Sequence, residues 1–201
     1  MTTPNRPALV LASGSTGRLR ILHGAGIDPE VVVSGVDESN PDGLPTAELV
    51  VALAERKAAA VALLRPKALV LGCDSLLDLD GDAVGKPASA AEVAQIWRLL
   101  AGRTGTLYTG HWLIAGATGQ QVSGVAATTI RFGRPREAEI AAYAATAEAL
   151  TLAGSFSIDG LAAPFVDGID GDPSSVIGLS LPLLRQLLAA VGIVITDLWR
   201  R

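Results

Sequence analysis

Leu69-Val70-Leu71-Gly72-Cys73-Asp74-Ser75 is the stretch whose reading decides the fold. Four apolar residues around one glycine describe a buried strand, and the carboxylate of Asp74 ends the apolar run. A buried strand of this kind belongs to an α/β sheet covered by helices, and ligands gather at the carboxyl edge of such a sheet. A dozen residues on, Gly85-Lys86-Pro87 returns a lysine to the same neighbourhood. An acid and a cation delivered together from a sheet edge suit phosphate chemistry.

On either side of this strand, helix and strand patterns alternate. Ala8 to Ala12 reads as a short strand and Ser13-Gly14-Ser15-Thr16-Gly17 as a turn. Leu19, Leu22 and Ala25 then have helical spacing from Arg18 until Gly26 stops it. Glu30 to Val33 reads as a second strand, and Thr46 as the cap of a long helix that runs to about Leu64 before Pro66. Asp80-Gly81 between apolar flanks is a hairpin signal. Ser89 with Glu92 forms a capping box for a helix whose inner face carries Val93, Ile96, Trp97 and Leu100. Strands are expected over Thr106 to Ala115 and Gln121 to Phe132, and a helix from Pro135 through Tyr143. A glycine-rich stretch covers Gly154 to Gly178, and the last helix opens at Pro182 and ends at Gly192. No repeat or linker divides the chain, so one domain over 1–201 with a mixed sheet and flanking helices is expected.

Composition narrows the chemistry. The 201 residues are 49% apolar and 18% charged, with a formal net charge of −4. That is enough apolar material for a sizeable core, and the balance carries no electrostatic footprint for polymeric nucleic acid or an anionic membrane. The single cysteine forms no internal disulfide, no basic leader precedes an apolar run, and none reaches the roughly 18 residues of a membrane span. A reduced, cytoplasmic setting is expected. Two histidines and one cysteine compose no zinc site, so hard oxygen ligands for Mg²⁺ or Mn²⁺ remain. Cys73, His23, Trp97 and Trp112 read as structural.

Two cations break local rules. Lys57 falls in the apolar stripe of its helix with Leu53, Ala60 and Val61, where an ammonium either snorkels to solvent or meets an anion. Arg18 stands in the first turn of its helix, the positive end of the macrodipole, beside small residues that allow backbone N–H groups to approach an anion. Asp74 can hold a divalent ion or orient a water and take its proton, or else serve as a cap. Glu38, on the polar loop Val36-Asp37-Glu38-Ser39, is a second metal carboxylate or a solvated one.

These blocks, in order, resemble the Maf family of nucleoside triphosphate pyrophosphatases over almost the whole chain. Leu11-Ala12-Ser13-Gly14-Ser15-Thr16-Gly17-Arg18 is similar to its opening motif, Val36-Asp37-Glu38 to its acidic loop, and Leu53-Ala54-Glu55-Arg56-Lys57-Ala58 to its lysine helix. Gly72-Cys73-Asp74-Ser75, Gly85-Lys86-Pro87, Ala101-Gly102-Arg103, Ala153 to Gly160 and Val176 to Pro182 continue it. The resemblance implies an elongated α/β fold related to inosine triphosphate pyrophosphatases, two lobes around a central cleft, and a homodimer. It also implies metal-dependent hydrolysis of a nucleoside triphosphate to the monophosphate and pyrophosphate. Asp74 matches the catalytic base, and Glu38 the acidic partner for metal or water. Arg18, Lys57 and Lys86 match the phosphate-contacting cations, with Ser13 and Ser15 in the phosphate turn and Ser75 and Asp159 at positions where branches of the family differ. Thr16-Gly17 stands where the family commonly has proline and arginine, Ser180 replaces a proline, and Ser75 and Asp159 leave the base preference open.

Two other functions compete. Leu77-Asp78-Leu79-Asp80-Gly81-Asp82 superficially looks like the nucleophile loop of haloacid-dehalogenase phosphatases, with Asp78 as nucleophile. The family's link to septum formation in bacteria also leaves a nucleotide-binding regulator without useful catalysis.

Overall fold

The computed structural model describes residues 8–40 and 42–200. In chain order its regular elements are β1 (Leu9–Leu11), α1 (Thr16–Gly24), β2 (Glu30–Val31), α2 (Thr46–Leu64), β3 (Leu69–Leu79), β4 (Asp82–Val84), α3 (Ala90–Leu100), β5 (Thr104–Ala115), β6 (Gln120–Phe132), α4 (Glu137–Ala144), β7 (Val166–Asp170), α5 (Pro173–Ile177) and α6 (Leu181–Ala190). The strands make one open, mixed sheet in the order β2-β1-β3-β5-β6-β7, with β4 also on β3. β1 is parallel to β2 and β3, and every other pairing is antiparallel.

β3 is longer than its apolar run. It continues through Asp74 and Ser75 to Leu79 because β5 pairs with it continuously from Leu69 to Asp78, so Asp74 sits mid-strand opposite Gly110. With β5 along one edge, β1 and β4 share the other: β1 pairs with Leu69 to Leu71 and β4 with Leu77 to Leu79. Residues 72–76 are left without a neighbouring strand on that side, and this gap creates the edge the sequence suggested at the end of an apolar run.

Two packing cores hang on the long strands. At the β1 end, Leu69, Leu71 and Cys73 of β3 pack under α1 and α6 with Leu22, Leu113, Leu184 and Leu188. The opposite face there is covered by α2, with Val10, Val70, Ala58 and Val61 in contact. At the far end Leu77, Leu107, Ile130 and Phe132 meet α3 and α4 around Trp97. Trp97 is wholly buried, with Phe132, Tyr143 and Phe165 edge-on at ring-centroid distances of 6.0, 5.8 and 5.5 Å. Each such ring pair adds about 1 kcal/mol beyond burial. The expected two-lobed arrangement is thus present as two cores strung on shared strands.

Local signals hold in most places. Asp80 and Gly81 both have positive φ, 59° and 97°, as the tight β3-β4 turn requires. Ser89 Oγ accepts from the Glu92 N–H at the start of α3, and Ser180 caps α6. Three expectations need correction. Thr46 is the first residue of α2 rather than its cap; its hydroxyl donates to Asp78 Oδ2 at 2.6 Å, tying α2 to β3. The glycine-rich stretch contains β7 and α5. Pro135 precedes α4, which begins only at Glu137. Among the described residues no helix is long and apolar enough to cross a membrane.

Candidate active site

At the open edge of β3 lies a cleft of about 840 Å³. Ser13, Ser15, Arg18, Glu38, Lys57, Asp74, Ser75, Lys86 and Asp159 all line it, so every site residue expected from the sequence reaches one crevice.

The acid at its centre is placed by two glycines. A Cβ on Gly72 would stand 2.0 Å from the Ala54 carbonyl oxygen, and one on Gly110 would stand 2.3 Å from the Val50 oxygen. Without side chains at these positions, α2 lies flush against β3 and β5. Strand alternation puts Asp74 on the same face as Gly72, while Lys57 follows Ala54 by three residues on α2. Lys57 therefore reaches Asp74: Nζ donates to Asp74 Oδ1 at 2.5 Å and pairs with Glu38 Oε1 at 2.6 Å. Lys57 and Asp74 are buried, with side chains 8% and 9% exposed, while Glu38 is half-exposed on its loop. The snorkelling alternative for Lys57 is thereby excluded; it is a buried ammonium held by two carboxylates. Burial opposes ionisation of Glu38, but the Lys57 hydrogen bond and the charges of Lys57, Lys86 and Arg18 outweigh it and hold its carboxyl below the usual range.

Arg18 is buried differently. Its Nε donates to the Gly178 carbonyl at 2.8 Å, and its terminal nitrogens to Ser13 Oγ at 2.9 Å and Ser75 Oγ at 3.3 Å. All three partners are neutral. A guanidinium has five N–H donors and a full charge, and among the described residues neither Arg18 nor the exposed Lys86 has a carboxylate partner. Ser15 caps α1, its Oγ accepting from the Arg18 N–H. The side chain missing at Gly17 has a steric counterpart: a Cβ there would press to 3.0 Å from the Ile177 carbonyl oxygen. The turn 13–18 thus offers small residues, a helix start and a buried cation, the elements of an anion seat.

The far wall comes from residues 148–160. Asp159 accepts from the Ser157 hydroxyl and is ion-paired with Arg20 of α1. Glu148 accepts from the Leu161 N–H with both carboxylate oxygens, at 2.9 and 3.1 Å, and a Cβ on Gly160 would meet it at 2.5 Å. Arg20 and Glu148 also line the cleft and escaped the sequence reading. Neither carried a signal in the sequence: Arg20 is marked only by its pairing with the distant Asp159, and Glu148 by its contacts to the 160–161 backbone.

Other candidates are structural. Burial pushes the Cys73 thiol up to about 12. His23 is exposed beside Asp28. Burial lowers His111 to about 4; its Nε2 accepts from the Ser180 N–H at 2.9 Å, leaving Nδ1–H to donate to the Thr109 carbonyl at 3.1 Å. Trp112 donates to Gln121. Asp78, the nucleophile of the competing phosphatase reading, is absent from the cleft wall, and its two oxygens accept from Thr46 and the Gly81 N–H. Its role is to secure α2 and the β3-β4 turn.

Among the described residues no three His, Cys, Asp or Glu side chains cluster as a metal cage. Asp74 and Glu38 each engage Lys57 through one oxygen. This donor set fits an ion of the Mg²⁺ type, which takes one or two carboxylates and completes its shell with substrate phosphates and water.

Comparison with known proteins gives the same assignment over the whole length. The family described as Maf-like protein matches residues 8–191. A protein of Streptomyces coelicolor named nucleoside triphosphate pyrophosphatase is 56% identical over 99% of this chain and 98% of its own. Proteins of the same name from Streptomyces avermitilis and Salinispora tropica are 52% and 50% identical, covering 99% and 96% of this chain and 98% and 88% of theirs. A match spanning both lobes and every element that lines the cleft places the chain in the Maf-like protein family.

Proposed function

We propose that the chain is a nucleoside triphosphate pyrophosphatase, which hydrolyses its substrate to a nucleoside monophosphate and pyrophosphate. The observation that carries this is a cleft in which a buried acid, Asp74, is held by Lys57 while a second buried cation, Arg18, has only neutral partners. A polyphosphate supplies the charge that Arg18 lacks. The names of the relatives point to the same substrate class.

In this scheme Asp74 orients a water and takes its proton as the water oxygen attacks the α-phosphorus. The bond between that phosphorus and the bridging oxygen to the β-phosphate breaks, and its electron pair leaves with pyrophosphate. Arg18, Lys57 and Lys86 stabilise the charge that gathers on the leaving group. Ser13, Ser15 and the backbone of the turn seat the phosphates. Lys57 also holds Asp74 in place, because it remains between Asp74 and Glu38. Asp74 and Glu38 would hold a divalent cation, Mg²⁺ or Mn²⁺, which supplies neutralising charge to the phosphates when bound.

The test is release of pyrophosphate from a panel of common and modified nucleoside triphosphates with Mg²⁺ or Mn²⁺. Wild-type protein should release pyrophosphate, and Asp74→Asn should lose about 10²- to 10⁴-fold in turnover, the usual worth of a general base. Near-normal pyrophosphate release by Asp74→Asn overturns the assignment of the base. Orthophosphate from monoesters, with none of the expected pyrophosphate, overturns the reaction.

A further inference from the structure

The Arg20–Asp159 ion pair crosses the cleft mouth, from α1 in the wall carrying Arg18 to the segment that forms the opposite wall. Both oxygens of Asp159 are engaged, one by the Ser157 hydroxyl and the other by Arg20. Each of these oxygens keeps a further lone pair, but the negative charge of the carboxylate repels a polyphosphate. Arg20 has the opposite character: its side chain is 65% exposed, and Asp159 is its ionic partner. One helical turn earlier, Gly17 carries no side chain, so it puts no second cation beside Arg20.

We infer that Arg20 is a substrate-contacting cation, held by Asp159 while the cleft is empty and transferred to the phosphates of the nucleotide on binding. This rests on the pyrophosphatase reading and adds a residue and a sequence of contacts to it. Two exchanges make the transfer favourable. Phosphate oxygens carry more charge than one carboxylate and accept from guanidinium in the same two-pronged geometry. An exposed ion pair is screened by solvent and contributes little, so little opposes its release. Asp159 is then a competitor for Arg20, and the part of its effect on affinity that runs through Arg20 is independent of which base the substrate carries.

Binding of non-hydrolysable α,β-methylene nucleoside triphosphates, one purine and one pyrimidine, separates these roles by titration calorimetry. The proteins are the wild type, Arg20→Ala, Asp159→Asn and the double variant, each checked for an unchanged thermal unfolding profile. Arg20→Ala should weaken both analogues about tenfold, the loss of one charge-assisted contact. Asp159→Asn should tighten both about threefold, and that gain should largely vanish in the Arg20→Ala background. Three results overturn the inference: unchanged affinity in Arg20→Ala, equal tightening by Asp159→Asn in both backgrounds, or an Asp159→Asn effect confined to one base. Pyrophosphate release by the wild type from ordinary triphosphates is measured in parallel. Its absence refutes the reaction alone, since the order of affinities judges Arg20 without turnover.

Discussion

Replacing Gly72 by alanine tests how the fold places the acid. The new methyl carbon would lie 2.0 Å from the Ala54 carbonyl oxygen and 2.9 Å from the Ala58 nitrogen, both backbone atoms of α2. No rotamer change relieves such contacts; α2 must retreat from the sheet by about 1 Å to restore an ordinary separation. Overpacking of this kind costs about 3 kcal/mol, the upper end for an inserted carbon because rigid backbone must move. The same retreat carries Lys57 away from Asp74, across a hydrogen bond that now measures 2.5 Å. A misplacement of about 1 Å in a reacting constellation lowers turnover on the order of 10²-fold. Urea unfolding followed by tryptophan fluorescence reads the first effect, and pyrophosphate release reads the second. Gly24→Ala, where a Cβ meets nothing within 4 Å at the end of α1, is the control: it should leave turnover unchanged and hold or slightly raise the urea midpoint. A Gly72→Ala protein with the wild-type urea midpoint and full turnover would refute the claim that bare backbone contact sets the Lys57–Asp74 geometry.

Lys57→Met should cost about 3 kcal/mol in urea unfolding, because it leaves the buried carboxylate of Asp74 unpaired beside Glu38. Adding Asp74→Asn should recover part of that stability and none of the activity; a double variant no more stable than Lys57→Met would contradict the ion-pair account. His111 gives the fold a pH dependence. Its folded value is about 4 against about 6.5 unfolded, so the unfolded chain binds the extra proton between these values. Stability is full above about pH 6.5 and declines as pH falls toward 4, by about 3 kcal/mol in all, and His111→Gln should flatten that slope in urea titrations at pH 7.5, 6 and 5.

The sequence and the structure agree best where local chemistry is self-sufficient. Asp80-Gly81 can only be a tight turn, and Ser89 with the apolar stripe of α3 marks its own start and inner face. The candidate residues that the fold brings into one cleft were legible because each violates its surroundings: Lys57 in an apolar stripe, Arg18 in a first turn, Asp74 after a run of buried residues. What escaped depends on partners distant in the chain. Asp74 and Ser75 look like the end of a strand, yet β5 holds β3 extended past them. β7 reads Val-Asp-Gly-Ile-Asp, without an apolar run, and is a strand because β6 pairs with it across a bulge at Arg131 and Phe132. Thr46 has the chemistry of a cap and spends its hydroxyl on Asp78 instead. Arg20 is an ordinary exposed arginine until Asp159, 139 residues later, arrives opposite it.

β3 and β5 run unbroken through both packing cores, and among the described residues no hinge peptide separates the lobes. Drawing the lobes together would mean flexing a hydrogen-bonded ribbon along its whole length, a stiff deformation compared with rotation about a flexible connector. Adaptation to different guests thus falls to the loops and long side chains at the rim, while Asp74 keeps its place on the ribbon and Lys57 its place on the helix seated against it.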